Sequence, residues 1–269
     1  MENKINKKET VFNKKDLQLK EILKKSNSQQ PLISIITVVY NGEKYLENTI
    51  LSVINQTYNN IEYIIIDGGS TDHTIDIIKK YENDIHFWIS EKDDGIYDAM
   101  NKGLKLCTGE IIGIINSDDY YSDESIFSRL IETMIEKPGD IYYGDMIIIN
   151  QQNHEVIEKR YTNLKKLYFG MYLNHPSTFV KRSIYNKLGL FDSKNFKIAA
   201  DYDFMFRNFI NKSKFVYINQ FMVYMRDGGE SIKNFSLTKL ETKLVRKKNL
   251  NYFLYVITNF IKFLKSITK

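Results

Sequence analysis

A single cysteine, Cys107, stands in a chain of 269 residues, which excludes an intrachain disulfide and a cysteine-rich zinc site. Three prolines and 13 glycines rule out a collagen-like, proline-rich or low-complexity chain. Every apolar run breaks well before the ~20 residues that a membrane-spanning helix needs. The first residues do not combine a basic start, an apolar run and a small-residue cleavage site, so no signal peptide is expected and the cytoplasm is the expected location. No internal repeat is present. Four motifs are missing as well: GxGxxG after the first strand, GxxxxGK[ST], HExxH and GxSxG. Their absence disfavours a dinucleotide dehydrogenase, a P-loop NTPase, a zinc protease and an α/β-hydrolase.

The net charge of +5 is unevenly spread. Residues 1–30 carry +4, residues 236–269 carry +7, and the body between them carries −6. Basic ends can meet nucleic acid or anionic lipid. The first 30 residues are polar and rich in Lys, Asn and Gln, which predicts a basic, flexible segment. In the last segment Lys239, Lys243, Arg246, Lys247 and Lys248 precede an aromatic run from Tyr252 to Ile257. It reads as a basic amphipathic helical tail that either lies on an anionic membrane or packs on protein. No spacing of the aromatic residues marks a stacking platform for single strands, so nucleic acid is not an expected partner.

Residues 31–235 read as the main domain, in halves 31–120 and 121–235. Leu32–Tyr40 is almost continuously apolar, as a strand covered on both faces would be. Ile61–Ile66, Ile85–Ile89 and Glu110–Ile115 repeat that pattern, with helical spacing between them around Ile50–Ile54, Ile75–Ile78 and Tyr97–Leu106. Strands alternating with helices predict an α/β domain with a mostly parallel sheet. After residue 140 the pattern is less regular. Strands are expected at Ile141–Asn150 and Glu155–Tyr161, which could join as a hairpin, and at Phe215–Met225, and a helix at Asp201–Asn211. Ligands of such sheets bind beyond the carboxyl ends of the strands. Asp67, Asp94 and Asp118-Asp119 all follow strands and are expected at one edge.

Two adjacent carboxylates at a strand end carry a cost unless a cation or hydrogen bonds offset their charge. A turn would explain Asn116-Ser117-Asp118-Asp119. A site for a hard divalent cation, Mn²⁺ or Mg²⁺, would explain it equally, and would suit a nucleotide diphosphate.

The pieces ISIITVVYNGEKYLENTILSVINQTYNNIEYIIIDGGSTDHT, DDGIYDAMNKGLKLCTGEIIGIINSDD, HPSTFVKRSIYNKLGLFD and AADYDF occur in that order. Over residues 32–230 the chain resembles the inverting glycosyltransferases of family 2, in the branch associated with bacterial O-antigen and capsule assembly. The resemblance implies a GT-A (Rossmann-like) fold, with a mostly parallel central sheet flanked by helices, plus the basic helical C-terminal extension. It implies that Tyr40 and Asn41 lie against the nucleotide and that Asp67 accepts a hydrogen bond from uracil. Asp94 would line the nucleotide pocket. Asn116, Ser117, Asp118 and Asp119 match the DxD-type segment, with Asp118 at the ribose or the metal shell and Asp119 on the metal. Ala200-Asp201-Tyr202-Asp203 stands where the family has Glu-Asp-x-Asp, and the general base is Asp201 or Asp203. His175 would border the active site. A nucleotide-sugar donor, a glycan or lipid-linked glycan acceptor and inversion at the anomeric carbon follow from the same resemblance.

Two other readings compete. A sugar nucleotidylyltransferase usually carries a Gly-rich, Arg/Lys-containing loop after the first strand, and this chain has Tyr-Asn-Gly-Glu-Lys there. A non-enzymatic basic adaptor for membrane or nucleic acid would leave the ordered aspartates incidental.

Overall fold

The computed structural model describes residues 11–12, 30–229 and 233–267. The expected flexible segment 1–30 lies outside these residues, except for Val11–Phe12, which forms a two-residue strand, β1, and for Gln30. The first half then runs β2 (Ile33–Val39), α1 (Leu46–Ile54), β3 (Ile61–Asp67), α2 (Thr74–Lys80), β4 (Phe87–Ser90), α3 (Ile96–Leu106) and β5 (Ile111–Asn116). The second half holds β6 (Tyr120–Tyr121), α4 (Ile126–Glu136), β7 (Ile141–Ile149), β8 (Val156–Arg160), β9 (Thr178–Lys181), α5 (Arg182–Leu188), α6 (Ala200–Ile210) and β10 (Phe215–Arg226). Two helices close the chain, α7 (Phe235–Asn249) and α8 (Tyr252–Ile267).

One sheet carries all ten strands, in the order β1-β4-β3-β2-β5-β9-β7-β10-β6, with β8 on β7. The four strands β4, β3, β2 and β5 are mutually parallel. The antiparallel β9 joins them to the parallel pair β7 and β10. β7 and β8 form the expected hairpin. The stretch Asn174–Lys181 resolves into a 3₁₀ turn at His175–Ser177 followed by β9.

Strand period decides the layers. Ile33, Ile35 and Val39 of β2 face one side, where they meet Leu46, Ile50, Ile78, Phe127 and Leu130 from α1, α2 and α4. Ile36 and Val38 face the other, where Met100, Leu104, Ile184 and Tyr202 from α3, α5 and α6 cover them. Both faces are therefore buried, which is why the strand reads as a continuous apolar run.

Gly103 sets how closely α3 rests on β2. A Cβ there would stand 2.5 Å from Cγ2 of Ile36, a fully buried residue. Gly103→Ala is expected to lower stability by about 1–2 kcal/mol, because overpacking outweighs the helix propensity gained. A urea midpoint equal to or above that of the parent would contradict this contact.

Candidate functional site

Sheet register brings the strand ends together. Val39 pairs with Asp67, Asp67 with Ser90, and Val38 with Asn116, so the loops after β2, β3, β4 and β5 leave the same edge. Because β9 runs antiparallel to β5, with Gly113 opposite Phe179, the turn His175–Ser177 that precedes it returns to that edge.

The acid pair lies just beyond β5. Thr49 of α1 donates its hydroxyl to the carbonyls of Ser117 at 2.9 Å and Asp119 at 2.6 Å, and the Asp119 amide bonds the Asn116 carbonyl at 3.1 Å. These bonds fix a tight turn that carries the Asp119 carboxyl inward, where only 1% of the residue is exposed. Asn116 Nδ2 donates to Asp119 Oδ2 at 3.1 Å. Asp119 Oδ1 and Asn116 Oδ1 are buried with no hydrogen-bond partner among the described residues. Burial, and then the neighbouring Asp118, push the Asp119 carboxyl well above the usual carboxylate range. Burial also raises Asp118.

Arg226, at the end of β10, carries no local motif that would mark it. It is 1% exposed, its Nη1 donates to the Asp118 carbonyl, and its guanidinium lies 4.2 Å from the Tyr45 ring centroid and 5.2 Å from that of Tyr120. Its Nε and Nη2 have no partner among the described residues. Unsatisfied oxygens and unsatisfied guanidinium donors therefore lie close together beside Asp118. The oxygens suit a hard cation and the donors an anion.

The nucleotide-side residues divide. Tyr40 is exposed. Asn41 takes a positive φ of 50° and ties two loops together: its amide bonds Ser70 Oγ at 2.8 Å and its Oδ1 accepts from the Thr71 amide at 2.9 Å. Asp67 closes β3. Its carboxylate is fully buried and accepts from the Gly69 amide at 3.0 Å, the Ser70 amide at 2.9 Å, Ser90 Oγ at 2.5 Å and Ser70 Oγ. Those bonds organise the loop, and three of them go to Oδ2, while Oδ1 accepts from Ser70 Oγ. Asp94 is exposed, its amide bonds Asp98 Oδ2 at 3.2 Å, and its carbonyl receives Lys197 Nζ at 3.5 Å. With Tyr97 and Lys197 it lines a small cavity at the start of α3. Asp93 beside it is half-buried. A Cβ on Gly68 would stand 2.6 Å from Asp93 Oδ2, so the missing side chain opens the turn to this carboxylate. Burial raises the Asp93 carboxyl.

The pair on α6 is resolved by its surroundings. Asp203 is 0% exposed and accepts from Arg207 Nε at 2.8 Å and Asn249 Nδ2 at 2.9 Å, with Lys248 Nζ at 3.2 Å. Three partners enclose it and join α6 to α7, so it is the less accessible of the two candidate bases. Asp201 remains partly accessible, and its Oδ1 accepts from Tyr97 Oη at 2.9 Å. Tyr97, on the first turn of α3, holds the carboxylate towards the shared edge. His175 lies close enough for the Asp201 charge to oppose the burial that lowers its imidazole. Its ring meets Phe191 edge-on at 5.7 Å.

One carboxylate held by a phenol and a buried carboxylate with a vacant valence, both at the carboxyl edge of a parallel sheet, suit transfer of a group from a phosphorylated donor. Comparison with known proteins bears on the class. The family model described as glycosyl transferase family 2 matches residues 34–227. An uncharacterized glycosyltransferase of Rickettsia typhi is 32% identical over 228 residues, covering 81% of this chain and 70% of the relative. A PGL/p-HBAD biosynthesis glycosyltransferase of Mycobacterium bovis is 30% identical over 193 residues, covering 67% of this chain and 71% of the relative. Among solved structures, S. aureus TarS 1–349 in complex with UDP superposes with a TM-score of 0.61 at 20% identity, covering 78% of this chain and 65% of that one. The mannosyltransferase PcManGT of Pyrobaculum calidifontis, in complex with GDP-Man and Mn²⁺, gives 0.63 at 16% identity, covering 86% of this chain and 68% of that one. The two structures share the fold, a GT-A sheet flanked by helices. The matched span runs from β2 through the acid pair and α6 to the end of β10, and on that extent the chain belongs to glycosyl transferase family 2 and is a glycosyltransferase.

Proposed function

We propose that the chain is a metal-dependent, inverting glycosyltransferase. It moves a sugar, a hexosyl or N-acetylhexosaminyl group, from a nucleotide-diphosphate donor to a hydroxyl of a glycan or lipid-linked glycan in bacterial surface polysaccharide synthesis. The observation that carries the reading is the pair of buried, unpartnered oxygens, Asp119 Oδ1 and Asn116 Oδ1, at the end of β5. Oxygen donors with a raised carboxyl fit Mn²⁺ or Mg²⁺, which would be held by Asp119 with Asp118 and Asn116. A cation bound there would neutralise charge on the departing diphosphate. Asp201, oriented by Tyr97, accepts the proton of the attacking acceptor hydroxyl as that oxygen bonds the anomeric carbon and the nucleoside diphosphate leaves from the opposite face. With one base and no nucleophilic side chain invoked, a single displacement inverts the anomeric centre.

A UDP-sugar is the proposed donor. TarS is described in complex with UDP and with UDP-GlcNAc, and PcManGT with GDP-Man. The reading also sets the enzyme in the cytoplasm, peripheral on the inner membrane. Among the described residues no helix is long and apolar enough to cross a bilayer.

Calorimetric titration with UDP and with GDP, each with and without Mn²⁺, tests the donor. Tight binding of UDP only with Mn²⁺ is expected. Preference for GDP would reassign the base, and no nucleotide binding by folded protein would sink the reading. The pH dependence gives a separate check. Burial raises Asp118 and Asp119, so their protonated forms favour the folded metal-free chain. That contribution is fully present below the unfolded value of about 3.9 and is lost as pH rises through the raised folded values. Mn²⁺ needs the ionised pair, so the rise in Tm that it causes should grow across the same window. Equal Mn²⁺ shifts at about pH 5 and about pH 8 would place the metal elsewhere.

A further inference from the structure

Helix α8 turns a mixed face to the protein: Tyr255 packs against the core with the Arg246 guanidinium 5.7 Å from its ring centroid, Thr258 is buried and meets Arg246 Nη2 at 2.8 Å, and Lys262 Nζ donates to the Phe169 carbonyl at 3.0 Å. Burial, together with the charges of Arg246 and Lys239, lowers the Lys262 ammonium. The outward face carries Tyr252, Phe253, Val256, Ile257, Phe260 and Leu264, with Phe253 71% and Phe260 60% exposed. Positions 253, 256, 257, 260 and 264 follow helical period, so they form one stripe. Helix α7 does the same on a smaller scale. Val245 and Arg246 are buried, while Leu237, Leu240 and Leu244 are exposed in a second stripe. Lys239, Lys243 and Lys247 border that stripe and are exposed. Across both helices the single acidic residue is Glu241, which is buried and receives the amides of Lys197, Ile198 and Ala199 at 2.9 Å each.

An apolar stripe beside lysines, with no exposed carboxylate, matches an anionic surface that has an apolar interior. A second copy would bring the same lysines against these and offer no acid from either helix to pair with them. Sixteen helical residues span about 24 Å, short of the ~30 Å hydrocarbon core, so α8 suits an in-plane position. We propose that the outward faces of α7 and α8 form a docking surface for an anionic lipid bilayer. It deepens the membrane-peripheral placement proposed above, on which it rests, and can fail independently of the active-site reading. The inner face of α7 also ties this surface to the catalytic edge, since Glu241 gathers the three amides just before α6, the helix that carries Asp201.

Vesicle flotation of the full chain tests it, using phosphatidylcholine alone and phosphatidylcholine mixed with phosphatidylglycerol. Removing the tail would also remove Glu241, so point variants of exposed residues are the better probes. The parent should float with the mixed vesicles only. Phe253→Glu with Phe260→Glu should cut recovery by at least about tenfold, and Lys239→Glu with Lys243→Glu by about as much. UDP binding and Tm of both double variants should match the parent, which separates lost docking from lost folding or a failed donor reading. Equal flotation of parent and Phe double variant, or no flotation of the parent, would overturn the proposal. So would a parent dimer in sedimentation that the Phe double variant dissolves without any vesicle binding, since that would assign the surface to a second copy.

Discussion

Asp201→Asn is expected to lower kcat by about 10²–10⁴-fold while leaving Tm and UDP binding unchanged. The change removes the proton acceptor and little else, because Asn keeps an oxygen for the Tyr97 hydroxyl, 2.9 Å away in the parent. Asp203→Asn should behave in the opposite manner. Its carboxylate is enclosed by Arg207, Lys248 and Asn249, and breaking a buried ion pair from one side costs about 3–5 kcal/mol. Lys248 is only partly buried and can turn to water, so the lower end applies. The urea midpoint should fall markedly, while the kcat of the molecules that remain folded stays near that of the parent. If Asp203→Asn were inactive at an unchanged midpoint and Asp201→Asn active, the base assignment would be reversed.

Asp119→Asn should lose metal-dependent donor binding by at least about 100-fold, since even partners that only orient a metal ligand are worth 10–100-fold. Yet the metal-free variant should be more stable than the parent above neutral pH. The parent must hold a buried carboxylate beside Asp118 with one oxygen unpartnered, and the amide removes that charge while keeping an oxygen for Asn116 Nδ2. A gain of about 1 kcal/mol in the metal-free state, together with failed calorimetric titration of UDP and Mn²⁺, is the combined signature. Reduced stability together with retained binding would show that Asp119 is a structural residue outside the metal site.

The candidate site was partly legible before any coordinates. Asn116-Ser117-Asp118-Asp119 stands out because adjacent acids at a strand end need an offset, which a turn and a cation explain equally; the fold shows a tight turn together with unpartnered buried oxygens. The ambiguities fall where neighbouring residues share a composition and differ only in direction. Asp201 and Asp203 both sit in the first turn of one helix, where either can complement its dipole. Two residues of helix rotate the side chain by about 200°, so one faces the edge and the other faces away. The arrival of Lys248 and Asn249 from α7 decides which is which. Asp93 and Asp94 are adjacent in a loop, and Gly68 on another loop opens the turn to Asp93. Asp67 stands after a strand as its position suggests, and Ser90 and the Gly69-Ser70 amides that hold its Oδ2 come from the folded loops. Arg226 left no local signal, because its meaning comes from contact with Tyr45 and with Asp118 and Tyr120, two segments distant in the chain.

The sequence by itself determined the α/β class, the four parallel strands and the edge at which their loops meet. Those follow from apolar period and from residues adjacent in the chain, which short-range physics controls. Tertiary structure alone decided which carboxylates stay accessible, which are consumed by loops and helices, and that α8 turns its apolar face outward. Those outcomes depend on desolvation and on partners supplied by remote segments, and no local pattern records either.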